Sequence, residues 1–484
     1  MEKKNPCKLL FAFLLSFLFI TICSKNSFLY PMNDWGDVNC FFIVGRSLLD
    51  GKVLYRDIYD QKGPILYFIY ALLSSISSTS FFAVYILEII TFAFFLFYAG
   101  KCVNLYIDDE VYSYLGMVIF GFVVVISKSF MHGGGLEEML LFTQMYSIYV
   151  FLKWIKKDQT PSKLACFTIG IFCAIAFWTK FLLCGFYLGL VLYVLYHCCY
   201  KYKDYKTLWM AIKYFLLGFC IITMIPIIYF AVNHALNDLF ISYFYNNLFL
   251  YSGKDHYALW ICILLFFRSN LLSFSFLLIL GILYVCSEKL TERYFTIFLL
   301  LLTLITNYMS GKTYDYYGMV MAPFAIFGII FLLNIFYKFA KIKIHKTVLI
   351  LVMICLIITS YFISSNTSFM KMKKSDLPQY QFAKIMKEEH AKSMLYFGLL
   401  DNGFYYASEI IPSCKYFTIL NIPLDEIRDM NVEYIKNNKV DFVVTRDFPL
   451  EETYADNPDY KLVKSTSYLF EGKKVSYYLY QLKK

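Results

Sequence analysis

The segment from residue 25 to residue 80 concentrates side chains that could do chemistry. It holds Asp34 and Asp37 near its start and Arg56 and Lys62 further on, with aromatic residues between them. A carboxylate can withdraw a proton from a hydroxyl group, and a cationic side chain can stabilise negative charge on a leaving group. The alternative is a solvated loop whose Asp-Gly and Gly-Pro pairs form ordinary turns.

Five further candidates lie in other loops: Glu137, Glu138, Lys180, Lys312 and Tyr316. The two glutamates could instead be acids favoured by the dipole at the start of a helix. A lysine near a helix end, such as Lys180, can also extend its ammonium group to the membrane surface. Lys312 and Tyr316 stand among tyrosines, a mixture suited to a sugar or lipid-phosphate site but also common at membrane interfaces.

The elements that position these residues are predicted from an excess of apolar residues. Of 484 residues, 59% are hydrophobic, 20% are aromatic and 17% are charged. A soluble protein could not bury so much apolar surface. The apolar residues occur in blocks of roughly 17 to 25, the length of a membrane-spanning helix. This excludes a soluble enzyme, a disordered chain and a small disulfide scaffold, and it predicts a polytopic α-helical membrane protein.

The topology follows from the positions of the lysines. They cluster between apolar blocks, in residues 153–163, 201–206 and 338–346, as expected of cytoplasmic loops. Hydropathy and charge together predict about eleven transmembrane helices in the cytoplasmic membrane. The first is an uncleaved helix from Leu9 to about Cys23, which leaves the N-terminus in the cytoplasm. Because the net charge of +10 resides mainly in these loops, no nucleic-acid partner is expected.

The composition changes near residue 371 and predicts two domains. Residues 1–370 form the transmembrane domain, with residues 25–80 as its first extracytoplasmic loop. Ile65–Leu73 in that loop is too short to span and is expected to lie at the interface. Residues 371–484 predict a small extracytoplasmic α/β domain. Its predicted helices are Gln379–His390 and Asp425–Asn438, its strands are Met394–Phe397 and Val440–Thr445, and Tyr460–Phe470 and Lys474–Leu482 form a hairpin.

The first loop resembles that of GT-C glycosyltransferases, in the bacterial branch related to protein O-mannosyltransferases and the lipid A aminoarabinose transferase. Members carry an Asp after the first helix, then a G-x-x-x-Y passage and a D-x-K-x-P-L-x-Y element. This chain offers Asp37, Gly51–Tyr55 and Asp60–Tyr67 in the same order. It departs from the pattern at Val38, where many members have Glu. That departure leaves Asp34 open as the family's Asp, although the spacing favours Asp37.

The resemblance implies transfer of a sugar from a polyprenyl-phosphate donor to a hydroxyl of a lipid, glycan or protein acceptor. Asp37 would be the general base of an inverting reaction on the outer face of the membrane. Lys62 and Arg56 would stabilise the departing lipid phosphate. Glu137 or Glu138 would orient the acceptor or bind a divalent cation together with Asp37.

Two other classes of membrane protein compete with this hypothesis. A transporter or flippase of lipid-linked sugars would place charged residues along a path within the spans. Such charges are few here, with Glu88 and Arg268 as exceptions. A polysaccharide polymerase or ligase would be expected to carry arginines in a large late outer loop. The loop from residue 233 to residue 257 contains none.

Overall fold

The computed structural model describes residues 6–251, 256–287, 290–338, 344–470 and 473–483. The chain forms two compact units. The first, here called the helical unit, comprises Met1–Ser27, Tyr85–Pro226 and Asp255–Thr367. The second, the mixed unit, comprises Phe28–Val84, Ile227–Lys254 and Ser368–Lys484.

The helical unit consists of apolar helices joined by short segments. Its α-helices are α1 (Pro6–Cys23), most of α4 (Phe82–Asn104), α5 (Glu110–Val125), α6 (Leu136–Met139), α7 (Leu141–Lys157), α8 (Lys163–Thr179), α9 (Cys184–Leu195), most of α10 (Tyr205–Val232), α12 (Leu259–Ser269), α13 (Phe276–Ser287), α14 (Leu290–Tyr308), α15 (Ile326–Lys338) and α16 (Lys346–Ile363). The 3₁₀ helix Asp315–Ala325 leads into α15.

Six helices in the described ranges are long and apolar enough to cross a membrane. They are Pro6–Cys23, Phe82–Asn104, Phe181–Lys201, Tyr205–Val232, Asp315–Lys338 and Lys346–Ile363. A bent pair, Leu259–Ser269 and Ser273–Ser287, makes a seventh if its two halves, at 102° to each other, form one broken span. The chain is therefore a multi-pass membrane protein, and the count of about eleven helices stays a prediction.

The mixed unit combines the first loop with the C-terminal segment. Its helices are α2 (Gly36–Leu49), α3 (Pro64–Ile76), α11 (Leu236–Leu239), α17 (Pro378–Glu388), α18 (Phe404–Ser408) and α19 (Asp425–Lys436). Local chemistry explains where several begin: α3 and α17 start at a proline, whose fixed φ suits the first helical position. Helix α2 carries Asp37 in its first turn, where the helix dipole favours a negative charge.

The C-terminal segment contains a four-stranded sheet in the order β1-β2-β4-β3. The strands are β1 (Met394–Phe397), β2 (Phe442–Arg446), β3 (Tyr460–Phe470) and β4 (Lys473–Leu482). Strands β1 and β2 are parallel, whereas β4 is antiparallel to both of its neighbours. The prediction of helices and strands in this segment is thus confirmed, and strand β1 has the predicted bounds. In the predicted hairpin turn, residues 471 and 472 lie outside the described residues.

Within the mixed unit, the C-terminal segment packs directly on the first loop. The Tyr406 ring stacks on Phe81 with 4.5 Å between the ring centroids. The Arg46 side chain of α2 donates a hydrogen bond to the main-chain oxygen of Glu409 at 2.9 Å. Most of the first loop and residues 368–484 therefore belong to one compact body.

Candidate active site

The backbone of Lys62 is held on both sides by tyrosine hydroxyl groups. The Tyr55 hydroxyl donates a hydrogen bond to the Lys62 carbonyl oxygen at 2.5 Å. The Lys62 amide donates to the Tyr67 hydroxyl at 3.0 Å. Both tyrosines are fully buried, whereas the Lys62 side chain is half-buried. Tyr55 and Tyr67 thus fix the backbone position from which the Lys62 side chain extends.

Tyr55 reaches this position through an unusual backbone conformation. Its φ is 66°, in the left-handed region that residues with a side chain seldom adopt. A hydrogen bond from its amide to the Ile58 carbonyl, 2.8 Å long, closes the turn. The ring lies parallel to Phe230, 5.5 Å away. Packing and hydrogen bonding therefore hold a conformation that would otherwise be unfavourable, as is common near functional sites.

Asp37, Asp60 and Lys62 form an interacting group of charges, here called the first-loop group. Asp60 is buried, and its Oδ1 accepts a hydrogen bond from the Gln61 amide at 2.7 Å. Burial raises the pKa of Asp60, the nearby Lys62 opposes this shift, and Asp37 adds to it. Asp37 and Lys62, both predicted from the sequence, thus act on the same buried carboxyl group. The structure also adds Asp60, which the sequence analysis placed only within the family element.

Asp34 and Asp37 occupy different environments. Asp34 is only 2% exposed. Its main-chain oxygen accepts a hydrogen bond from the Asn402 side chain at 3.1 Å, and the Tyr468 hydroxyl lies 3.5 Å from its Oδ2. Asp37 is half-buried in the first turn of α2. Of the two acids, Asp37 is therefore the more accessible to a substrate.

Arg56 is exposed and its guanidinium group is already engaged. It donates two hydrogen bonds of 3.0 Å to the Asp57 carboxylate and one of 3.0 Å to the Asn233 carbonyl oxygen. Hydrogen bonding from Arg56 in turn lowers the pKa of Asp57. None of these partners belongs to the first-loop group. The structure therefore does not bring Arg56 into the contacts that hold Lys62.

A further acid comes from the C-terminal segment and has no signal in the sequence. Asp401 is fully buried and accepts hydrogen bonds from the amides of Phe404 and Tyr405 at 2.8 and 3.3 Å. Burial raises its pKa to about 7. It lies close to Cys40 of α2, whose pKa is raised by burial and then by three carboxylates, those of Asp60, Asp401 and Asp37. Asp401 is separated from the first loop by more than three hundred residues, so spacing could not have revealed it.

In the helical unit, three of the predicted residues meet. The Lys180 ammonium group lies 2.7 Å from Oε1 of Glu137, and both side chains are buried. The same ammonium group lies 3.5 Å from the centroid of the Tyr317 ring and 5.6 Å from that of Tyr316. Lys180 is therefore a buried cation bound to an acid and to aromatic faces, and not a lysine extended to the membrane surface.

The other two predicted residues of the helical unit, Glu138 and Lys312, lie in different environments. Glu138 is buried and accepts a hydrogen bond from the Gly134 amide at 3.1 Å. That amide also donates to Glu88 of α4 at 2.6 Å. Lys312 is half-buried in the segment before the 3₁₀ helix Asp315–Ala325.

The acidic side chains that the family resemblance suggested as ligands of a divalent cation are poorly suited to bind one. Glu137 is neutralised by Lys180, and Glu138 is engaged with the Gly134 amide beside Glu88. Across the described ranges, no group of three or more His, Cys, Asp or Glu residues is arranged to hold a metal ion. A cation site is therefore not assigned to these residues.

Comparison with known proteins shows a likeness of structure without a likeness of sequence. No protein-family model matches the chain, and neither does any curated protein sequence. The fold is similar to the crystal structure of ArnT from Cupriavidus metallidurans bound to undecaprenyl phosphate, with a TM-score of 0.65, 10% identity and 98% of each chain covered. It is also similar to ArnT from the same organism in the apo state, with a TM-score of 0.63, 11% identity and 98% of each chain covered.

A likeness at 10 to 11% identity concerns the fold, and here it extends over almost the whole length of both chains. It covers the apolar helices and the C-terminal sheet alike. The expected architecture is confirmed at the level of the fold: the chain adopts the fold of the two ArnT structures.

Proposed function

We propose that this protein is a membrane glycosyltransferase that takes a sugar from a polyprenyl-phosphate donor. The observation that carries the proposal is the first-loop group, in which the half-buried Asp37 and Lys62 interact with Asp60 and the backbone of Lys62 is fixed on both sides. The fold supports it, since a structure with this fold contains undecaprenyl phosphate. The site faces the outer side of the cytoplasmic membrane, with the N-terminus inside.

The proposed reaction is a single displacement at the anomeric carbon. Asp37 withdraws the proton of the acceptor hydroxyl as its oxygen bonds to that carbon, which can contribute about 10² to 10⁴ in rate. The bond from the anomeric carbon to the phosphate oxygen breaks, and its electron pair leaves with the lipid phosphate. Lys62 stabilises the charge that develops on this phosphate. Attack opposite the leaving group inverts the configuration at the anomeric carbon.

The remaining candidates receive supporting roles. Glu137 and Lys180, with Tyr316 beside them, orient the acceptor, and Lys312 contributes positive charge for a phosphate. We assign the leaving phosphate to Lys62 and not to Arg56, because Arg56 is bound to Asp57. Glu138 is assigned a structural role because it is buried beside Glu88.

The competing transporter hypothesis receives no support from Glu88. A transport path would leave a charge within a span facing a cavity. Glu88 is instead fully buried and surrounded by hydrogen-bond donors from Ser24, Asn26 and Gly134.

The substrate class is tested with purified protein in nanodiscs and radiolabelled polyprenyl-phosphate sugars. Wild type should transfer label from at least one donor, and Lys62→Ala should lower kcat by about 10² to 10³-fold. Lys384→Ala removes a lysine that is 78% exposed and should leave transfer unchanged. Equal rates for wild type and Lys62→Ala would overturn the assignment of Lys62.

A further inference from the structure

The carboxylate of Glu88 is the centre of a buried hydrogen-bond cluster in the helical unit. The Ser24 hydroxyl lies 2.9 Å from each carboxylate oxygen. The Asn26 side chain donates at 3.0 Å and the Gly134 amide at 2.6 Å. These donors come from two segments that are far apart in sequence, one directly after α1 and one directly before α6. Glu88 therefore connects the two segments.

A second carboxyl group shares this site. The Gly134 amide also donates to Oε2 of Glu138 at 3.1 Å, so one N–H group faces two carboxyl groups. Burial, followed by the neighbouring Glu88, raises the pKa of Glu138 well above its ordinary value. Two buried carboxylates this close cannot both be ionised without strong repulsion, and such pairs typically hold one proton between them.

The surrounding backbone is fitted closely to this pair. A Cβ atom added to Gly133 would lie 2.1 Å from the Ser24 hydroxyl and 2.7 Å from Oε1 of Glu88. The Lys25 amide donates to the His132 carbonyl oxygen at 2.8 Å, which gives the two segments a second connection. Residues 132–138 are thus held at their start by the backbone and at their centre by Glu88.

We propose that Glu88 and Glu138 share one proton and act as a positioning pair for residues 132–138, which carry Glu137. The importance of the pair for turnover rests on the proposed function. The pair itself touches no substrate. When the shared proton is lost at alkaline pH, the two carboxylates repel each other, the bond to Gly134 weakens and Glu137 loses its fixed position.

Four other titratable side chains lie on the segments around the Glu88–Glu138 pair. Tyr85 lies on α4 next to Glu88 and bonds to Thr21. His132 is bonded to Asn366. Lys25 follows α1, and Glu137 is neutralised by Lys180. None of these replaces the carboxyl pair as acceptor of the Gly134 amide.

The test combines hydrogen exchange with kinetics. In Glu88→Leu, the Gly134 amide should exchange at least about tenfold faster after correction for intrinsic rates, because it loses the shorter of its two hydrogen bonds, the one to Glu88, and keeps only the longer one to Glu138. The kcat for transfer should fall at least about tenfold, with the KM for the donor changed less than about twofold. Glu88→Gln keeps an acceptor for the amide and should retain exchange within about threefold of wild type. Asp108→Asn, an exposed carboxylate just after α4, is the matched control.

The shared proton is tested separately with Glu138→Gln. Wild type should lose kcat at alkaline pH as the shared proton leaves. The Glu138→Gln amide group can donate to Glu88 at any pH, so this loss should be absent in the variant. Retention of the wild-type pH profile in Glu138→Gln would overturn the shared proton. Unchanged Gly134 exchange in Glu88→Leu, or in Glu88→Ala if the leucine variant does not fold, would overturn the positioning role. If wild type transfers no sugar, the proposed function fails while the exchange experiment still decides on the pair.

Discussion

The Tyr55 hydroxyl donates a hydrogen bond of 2.5 Å to the main-chain carbonyl oxygen of Lys62. Tyr55→Phe removes this bond and leaves the carbonyl without its buried donor, which should cost about 1 to 3 kcal/mol in the free energy of unfolding. Because Lys62 would also lose its fixed position, kcat should fall about tenfold, while the KM for the donor changes little. Steady-state transfer kinetics check this.

A matched variant separates the loss of a buried hydroxyl from the loss of the bond to Lys62. Tyr59 lies in the same loop, is also buried, and its hydroxyl accepts a hydrogen bond from Asn246 at 3.2 Å. Tyr59→Phe should lower stability without lowering kcat. Equal losses of kcat in the two variants would show that Tyr55 acts only through stability.

The ion pair of Glu137 and Lys180 should be strongly coupled. Both side chains are buried, so removing one partner leaves an uncompensated charge, at a cost of about 3 to 5 kcal/mol. Glu137→Gln and Lys180→Met should each lower the free energy of unfolding. The loss in the double variant should be smaller than the sum of the two single losses. Unfolding in mixed SDS micelles measures the four proteins of this double-mutant cycle. Additive effects would contradict a direct pair.

Asp401 should make stability depend on pH. Its pKa is raised by burial from its ordinary value to about 7, so the folded state favours the protonated acid. The stability contribution is present below the ordinary pKa of an aspartate and is lost as the pH rises through about 7. As the pH rises from about 4 to about 8, the free energy of unfolding of wild type should therefore fall by roughly 2 to 4 kcal/mol relative to that of Asp401→Asn, which has no carboxyl group at this position.

Thermal unfolding of purified protein across this range checks the effect of Asp401. Asp429→Asn removes an exposed carboxylate of the same C-terminal segment and should follow wild type at every pH. A parallel pH dependence for wild type and Asp401→Asn would show that Asp401 is not the group responsible.

Two glycines with the same backbone preference should differ sharply on substitution. Gly51 and Gly133 have φ values of 88° and 85°. A Cβ at Gly51 meets nothing within 4 Å, whereas one at Gly133 would collide with the Ser24 hydroxyl and Glu88. Gly51→Ala should therefore lower the free energy of unfolding by about 1 kcal/mol, because only the backbone conformation is unfavourable for alanine. Gly133→Ala should lower it by clearly more. Similar melting temperatures for the two variants would contradict the close packing around Glu88.

Much of the first loop could be predicted from the sequence because its elements are local. Tyr55, Asp60, Lys62 and Tyr67 lie within thirteen positions of one another, so one turn and the start of one helix bring them together. The strands of the C-terminal segment were also predictable, since alternating or continuous apolar runs mark them. The strand Met394–Phe397 was found with the predicted bounds.

What the sequence could not show depends on long-range packing. The approach of Asp401 to Cys40 is created by the docking of the C-terminal segment on α2 and leaves no pattern in the chain. Glu88 was visible only as a charge within an apolar block, because its donors lie on two other segments. Lys180 was open to interpretation as a surface lysine until its pairing with Glu137 was seen.

The most direct test of the proposed chemistry compares two aspartates of the same helix region in single-turnover sugar transfer. Asp37 lies in the first turn of α2, and Asp50 follows its last residue and is exposed. With a polyprenyl-phosphate sugar that wild type uses, Asp37→Asn should slow transfer by about 10² to 10⁴-fold, and Asp50→Asn should match wild type. Transfer by Asp37→Asn at the wild-type rate would contradict the role of Asp37 as general base.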